Sequence, residues 1–188
     1  MTSVLDVIKE RRSIRDFKKQ EIPEESIDAL IEALRWAPSA GNLQSRKFYF
    51  VSNDEIRKKL AGATGNPGLV ARVKTIVKNA LNSNFVSMAP VVVVACLDRR
   101  ITERYGARGE KLYAIQDAAA SVMNMMLVAH ELGLGSVWVG AFDEDAVTRI
   151  MQLPPYERPV ALIPIGYPFR VPEPPSRRSK EHVVVFVK

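Results

Sequence analysis

Four groups of residues in this 188-residue sequence could do chemistry, and none of them is a catalytic triad or a metal cluster. The first is Arg11-Arg12-Ser13-Ile14-Arg15. Three guanidiniums and a hydroxyl within five residues could surround a phosphate, because each arginine offers a fork of donors matched to phosphate oxygens. Set at the end of a helix, the same cluster could equally be solvated charge that compensates the helix dipole. The second group is Ala37-Pro38-Ser39-Ala40-Gly41-Asn42-Leu43-Gln44. Its small residues permit close backbone approach, and its two amides could hydrogen-bond the polar edge of a heterocycle. A helix-stopping turn accounts for Pro38 to Gly41 as well, but leaves Asn42 and Gln44 unexplained. The third runs from Leu132 to Phe142, with glycines at 133, 135 and 140. The spacing is not G-x-G-x-x-G, and the segment leaves a helix to enter a strand, the reverse of the dinucleotide-binding order. A helix C-cap and a core strand suffice for Gly133 and Gly135, whereas Gly140 and Ala141, at a strand end, could offer free N–H groups to a ligand. The fourth group, Arg177-Arg178, follows a proline-rich stretch, and a mobile charged tail would explain it too.

The remaining reactive residue types are sparse. His130 and His182 stand alone in a long helix and a terminal apolar run, where structural roles are expected. The single cysteine, Cys96, lies in the run Val91 to Leu97 and reads as a buried strand residue, which excludes an internal disulfide and any multi-cysteine metal site. No His/Cys/carboxylate cluster has metal-ligand spacing, so no metal is expected. With no catalytic side chain of its own in view, an enzyme of this composition would borrow its reactivity from a cofactor.

The elements that must position these groups follow from periodicity and punctuation. Val4 to Arg11 is a short amphipathic helix. A second begins with Pro23 at its first helical position and runs through Ile27, Leu30, Ile31 and Leu34 until Pro38. Lys47 to Val51 is a strand, and Ser52-Asn53-Asp54-Glu55 has the form of a capping box opening a helix to about Ala61. A turn is expected at Thr64 to Gly68 and a weaker helix from Leu69 to about Asn79. Pro90 to Leu97 is a β-branched run suited to a strand buried on both faces. Gly109 to Leu132 is the longest helix, its apolar side read as Leu112, Ile115, Ala119, Val122, Met123, Met126 and Leu127, and Gly133 stops it. The patch Ala118-Ala119-Ala120-Ser121 would admit another helix closely. Ser136 to Val139 is a short strand, Asp143 caps a helix to Met151, and Pro159 to Ile165 is a buried strand. Pro168 to Pro175 is an extended arm, and His182 to Val187 is a last β-rich run that the arm could carry onto a partner chain. Strict strand–helix alternation is missing, which points to an α+β fold with a mixed sheet.

Length and a 47% hydrophobic content fit one domain over residues 1–188. Met1 to Asp6 shows no basic region leading into an apolar run, and no stretch approaches the roughly 18 apolar residues of a membrane span, so a cytoplasmic protein is expected. A net charge of +6 suggests nucleic acid, but the basic residues interleave with acidic ones except at Lys9 to Lys19 and Arg177 to Lys180. Two short clusters suit a small phosphorylated ligand as well as a duplex.

Taken in order, these segments resemble the nitroreductase family of FMN enzymes, over roughly Val4 to the C-terminus. The resemblance rests on Arg11 to Arg15, Ala37 to Gln44, Ala89-Pro90 before the valine strand, Gln116-Asp117-Ala118-Ala119-Ala120 in the long helix, and Leu132 to Asp143 with Gly140-Ala141-Phe142. It implies a nitroreductase-like fold, with a central mixed sheet flanked by helices and a C-terminal strand exchanged in a homodimer that holds FMN at its interface. It further implies that Arg11, Arg12, Ser13 and Arg15 hold the phosphate, ribityl chain and flavin edge, completed by Arg178 and, secondarily, Arg177. Pro38, Ser39, Ala40 and Asn42 would come from the other subunit, Asn82, with Asn84 as rival, would meet the ring, and the N–H groups of Gly140 and Ala141 would face N5. The implied reaction is ping-pong hydride transfer from NAD(P)H to a nitroaromatic, quinone or flavin. Ser45-Arg46 stand where the family often has Pro-Trp, which leaves the acceptor open. The chain leaves little room for covering insertions, so an open pocket is expected. A flavin enzyme of the same fold acting on activated alkenes, on halogenated substrates or on flavin itself is the alternative. A basic nucleic-acid-binding protein is a distant one.

Overall fold

A computed structural model describes residues 3–64 and 84–187. The expected turn after Thr64, the weaker helix from Leu69 and Asn82 lie outside the described residues. The central strand explains the architecture. β2 (Val91–Asp98) is a run of β-branched and small apolar residues, and Val92 to Leu97 have no exposed surface. Because successive strand side chains point to opposite faces, Val92, Val94 and Cys96 enter one hydrophobic cluster while Val91, Val93 and Ala95 enter another. A strand that feeds two cores needs a layer of helices on each side.

β2 pairs antiparallel with β1 (Arg46–Val51) on one edge and with β4 (Glu157–Gly166) on the other, and β4 carries the two-residue β3 (Gly135–Ser136), giving the order β1-β2-β4-β3. On one face lie α2 (Glu24–Arg35) and α6 (Ala114–Glu131), which contribute Leu30, Leu34, Val122 and Met125. On the other lie α3 (Asp54–Ala63), α4 (Asn84–Met88) and α7 (Glu144–Met151), with Leu60, Val86 and Val147. Each of these fully buried aliphatic side chains contributes about 1.5–3 kcal/mol of burial energy. The described part is thus an α+β sandwich. All pairings between its strands are antiparallel, and the parallel character expected of a mixed sheet is confined to one bridge, Ser13 to Ser136.

Local signals and observed boundaries agree closely, with physical reasons for the differences. α1 (Val4–Glu10) is capped by Ser3, whose Oγ accepts from the Asp6 N–H. Pro23 is the N-cap of α2, not its first helical residue. Asn53, not Ser52, caps α3, its side chain accepting from the Ile56 N–H. Asp143 caps α7 as expected. The long helix is joined to helical structure already begun at Arg99, through a 3₁₀ turn (Arg99–Ile101), α5 (Thr102–Arg108) and a π turn (Gly109–Tyr113). Gly133, at φ +74°, ends it. The expected strand from Ser136 to Val139 is reduced to β3 and an isolated bridge between Val139 and Leu162.

The expected apolar side of the long helix holds at Val122 and Met126 and is corrected elsewhere. The buried side of α6 is Ala114, Asp117, Ala118, Ser121, Val122, Met125, Met126 and Ala129, while Ile115 and Met123, read as core, are exposed. The helix is apolar nearly all round, so spacing allowed either phase, and the small residues decide it by letting α2 approach. For the same reason Arg99–Glu131 is long and apolar enough to pass for a membrane span by length and composition. Here it is a core helix packed on α2 and the sheet. On its own body His182 to Val187 pairs with no strand: a 3₁₀ turn (Lys180–His182) is followed by chain without regular structure, with Val185, Phe186 and Val187 more than four-fifths exposed. A strand requires a neighbour to accept its hydrogen bonds. The arm leaves the body beyond the bridge between Phe17 and Pro168, where Phe169 N–H donates to Asp16.

Candidate functional site

The arginine cluster is placed by α1 and β3. Arg11 is the C-cap of α1, its N–H bound to the Val7 carbonyl. The chain then turns alongside β3, where Ser13 bridges Ser136 and the Ile14 N–H donates to the Ser136 carbonyl at 3.0 Å. Buried Ile14 locks this approach, since a Cβ on Gly135 would come within 2.5 Å of its side chain. Only glycine admits the segment here. The result is a cavity of about 220 Å³ lined by Arg11, Arg12, Ile14, His130, Gly135 and Ser136 among others.

Within it, the Nε and Nη1 atoms of Arg11 are buried and have no hydrogen-bond partner among the described residues. Burial holds the Arg11 guanidinium below its ordinary pKa, and the neighbouring charges of Arg12 and Arg177 push the same way. A buried donor left unsatisfied costs about 1–3 kcal/mol, and like charges gathered around it add to that cost. An anion offering several acceptor oxygens removes both penalties at once, so the donor set fits a phosphate. Arg12 spends one Nη on the Lys9 and Arg11 carbonyls, at 2.6 and 3.0 Å. Arg15 points to solvent. The charge sensed by Arg11 from the tail is that of Arg177, whereas the resemblance favoured Arg178.

The amide loop is placed elsewhere. Ala40–Asn42 forms a 3₁₀ turn after α2, and Gly41, Asn42 and Gln44 all adopt left-handed backbone with φ of +55°, +55° and +52°. For the two non-glycine residues this conformation costs on the order of 1 kcal/mol or more each, and strain of that kind persists only where the surroundings impose it. The Ser39 Oγ accepts from the Gln44 N–H at 3.1 Å. Both Asp117 carboxylate oxygens lie 3.1 Å from the Ala40 nitrogen, and Arg46 donates to the Ala37 and Pro38 carbonyls at 2.7 and 3.2 Å. Pro38, Asn42 and Gln44 are exposed. Against Gly41 lies α5: a Cβ there would sit 2.4 Å from the Tyr105 hydroxyl and 3.4 Å from the Arg104 guanidinium carbon. Gly41 itself stays exposed, and α5 packs close beside it.

Gly140 and Ala141 form an exposed turn between the bridges at Val139 and Phe142, and neither N–H donates a hydrogen bond among the described residues. Asn84 is exposed at the start of α4.

One distance organises the rest. Asp117, which holds the loop, and His130, which lines the arginine cavity, are thirteen residues apart on α6, about 20 Å along its axis at 1.5 Å per residue. Within one chain the two groups stand at opposite ends of the helix and do not meet. Sequence reasoning named Asp117 and Arg46 without giving them a role, and missed Tyr105 and the lining role of His130. Asp117 had a partial signal, a carboxylate inside an otherwise apolar helix, but the phase read for that helix left it off the core-facing side.

Comparison with known proteins places this geometry. The chain is 34% identical over 173 residues to a protein of Methanothermobacter thermautotrophicus named NADH dehydrogenase/NAD(P)H nitroreductase, covering 90% of this chain and 79% of that one. It is 25% identical over 197 residues to the FMN reductase (NADPH) of Bacillus subtilis, covering 97% and 73%. The crystal structure of a nitroreductase family protein from Clostridium novyi NT superposes with a TM-score of 0.76 at 28% identity, covering 89% of this chain and 86% of that one. The model of the Nitroreductase family matches residues 8–167, and the chain therefore belongs to the nitroreductase family.

Proposed function

We propose that this protein is an FMN-dependent NAD(P)H oxidoreductase acting as a cytoplasmic homodimer, with each active site built from both subunits. The observation that carries the reading is Arg11, whose buried Nε and Nη1 atoms have no partner among the described residues, beside a cavity that Arg12 and Glu10 also line and within reach of the Arg177 charge. Arg11, Arg12, Ser13 and Arg15 hold the phosphate and ribityl end of the cofactor, and Arg177, with Arg178 beside it, closes the phosphate site. Pro38, Ser39, Ala40 and Asn42 of the second subunit meet the flavin from the other side. By the resemblance, Asn82, with Asn84 as its rival, would complete the ring contacts.

Three features support the two-subunit site. The arginine cavity and the amide loop are too far apart in one chain to share a ligand. An apolar surface runs over Val4, Leu5, Ile8 and Trp36, exposed by 72, 57, 49 and 81%, beside a groove lined by Val4, Val7, Trp36 and Leu127. Patches of this kind mark interaction surfaces. The apolar C-terminal run has no partner on its own body, as expected of an arm that lies across another subunit.

When bound, FMN would supply two-electron hydride chemistry between NAD(P)H and a nitroaromatic, quinone or flavin acceptor, the two substrates taking turns in a ping-pong cycle. No side chain of the protein is required to form a covalent bond. The N–H groups of Gly140 and Ala141, in the exposed link between the bridges at Val139 and Phe142, would offer backbone donors to the cofactor and would stabilise negative charge on it electrostatically. The test is the visible spectrum of the purified protein followed by anaerobic addition of NADH or NADPH. A flavin spectrum that bleaches is the expected result. Colourless protein that takes up no added FMN overturns the proposal.

A further inference from the structure

The first half of the amide loop, Ala37 to Ala40, is gripped by two side chains that no local motif required. Asp117 is the one charged residue on the buried side of α6, among Ala114, Ala118, Ser121, Val122 and Met125, and only 7% of it is exposed. Burial pushes its pKa up, while the Ala40 N–H and the charge of Arg46 pull it down. A carboxylate in such a place is costly unless its acceptor strength is used, and both of its oxygens lie 3.1 Å from one loop N–H. Arg46 works at the other end, on the Ala37 and Pro38 carbonyls. The two charges sense each other, yet among the described residues they form no direct ion pair. Each spends its hydrogen bonds on backbone groups, Arg46 reaching the Arg35 carbonyl at 3.5 Å as well. Directly after the gripped stretch Ala37 to Ala40 the chain passes through three left-handed residues, Gly41, Asn42 and Gln44, and the Gln44 N–H is tied back to the Ser39 Oγ at 3.1 Å.

Resting on the flavin reading above, we propose that Asp117 and Arg46 are positioning residues that hold the Ala37–Gln44 loop in its left-handed form, so that FMN affinity is set in part by two groups that do not touch the cofactor. This gives the departure at position 46 a role, since a guanidinium there tethers carbonyls. It also separates positioning from plain stability. A structural carboxylate would change the melting temperature alone, whereas a positioning one changes the loop and the cofactor together and is rescued by any side chain that keeps the acceptor.

The experiment compares wild type, Asp117→Ala, Asp117→Asn and Arg46→Met by two readouts. The first is hydrogen exchange of peptides spanning residues 37–44 in flavin-free protein, with β2 peptides as the reference. The second is FMN affinity by quenching of flavin fluorescence. Asp117→Ala should speed exchange in the 37–44 peptides with little change in β2, and weaken FMN at least tenfold. Asp117→Asn, which keeps an oxygen for the Ala40 N–H, should recover most of both. Arg46→Met should loosen the same peptides and weaken FMN independently. Unchanged exchange of the 37–44 peptides in Asp117→Ala overturns the proposal, as does faster exchange with FMN affinity within twofold of wild type. Wild-type protein that binds no FMN refutes the flavin reading instead, a result separable from the exchange data, which judge the grip without any flavin.

Discussion

Replacing Arg11 by methionine should move stability and cofactor affinity in opposite directions. In the flavin-free protein the Nε and Nη1 atoms of Arg11 are buried without partners, and Arg12 and Arg177 add repulsion. Methionine keeps much of the apolar stem that packs in the cavity and removes the unsatisfied donors. Each such donor costs about 1–3 kcal/mol. Because the guanidinium keeps some contact with water, a net gain of about 1–2 kcal/mol is the fair figure. For a chain of this length each kcal/mol is worth roughly 2–4 °C, so the flavin-free variant should melt about 2–8 °C higher than wild type. Binding should suffer, because a charged hydrogen bond to the phosphate worth about 1.5–3 kcal/mol is lost, which weakens FMN about 10- to 150-fold. The gap in melting temperature between flavin-free and FMN-saturated protein should shrink to match. Thermal melts with and without FMN, together with fluorescence quenching titrations, measure all three quantities. A variant that melts lower than wild type and binds FMN as tightly would refute the reasoning, because Arg11 would then be an ordinary packing residue.

Other perturbations address the remaining parts of the site. Gly135→Ala forces a methyl group into Ile14, where three side-chain atoms would stand within 2.9 Å; overpacking of this kind costs about 1–3 kcal/mol, so lower stability and weaker FMN binding are expected, with partial recovery in the double variant with Ile14→Ala. Truncation after Pro175 should yield protein that no longer elutes as a dimer and loses its flavin, whereas a dimeric, fully active truncated protein would end the arm-exchange reading. Glu144 accepts from Arg158 at 2.8 and 2.9 Å, and these bonds hold its carboxyl below the usual glutamate value of 4.5. Its contribution is therefore present above pH 4.5 and lost as the pH falls through the lower folded value; Glu144→Gln should cost about 0.5–1 kcal/mol at neutral pH and nothing in strong acid, as melts across a pH series would show.

Much of the fold was legible in particular residues. The valine run announced a central strand because a β-branched, uncharged stretch bounded by Pro90 suits burial on both faces. Asp143 marked a helix start and Gly133 a helix end, because capping is local chemistry, while the capping box read from Ser52 found α3 but placed its cap one residue early. The phase of α6 was not legible: Ile115 and Ala118 are both apolar, and only the packing of α2 decides which faces inward. The C-terminal run had strand composition but pairs with no strand on its own body, since composition supplies no neighbouring edge. In the site, the Arg11 cluster and the amide loop stood out by residue type, but the grip of Asp117 on Ala40 spans 77 positions, and no short motif reports it.

The sequence by itself determined most of the helices, the central strand and several of the ends, which residues could hold a phosphate or a heterocycle, and which family those segments resemble, because capping, periodicity and donor type act over a few residues. Only the tertiary structure decided that two nitrogens of Arg11 are buried without a partner among the described residues, that Asp117 and Arg46 bond the backbone of Ala37 to Ala40, and that the arginine cavity and the amide loop lie at opposite ends of one helix. These are consequences of desolvation and of contacts between distant segments, which exist only once the chain has packed.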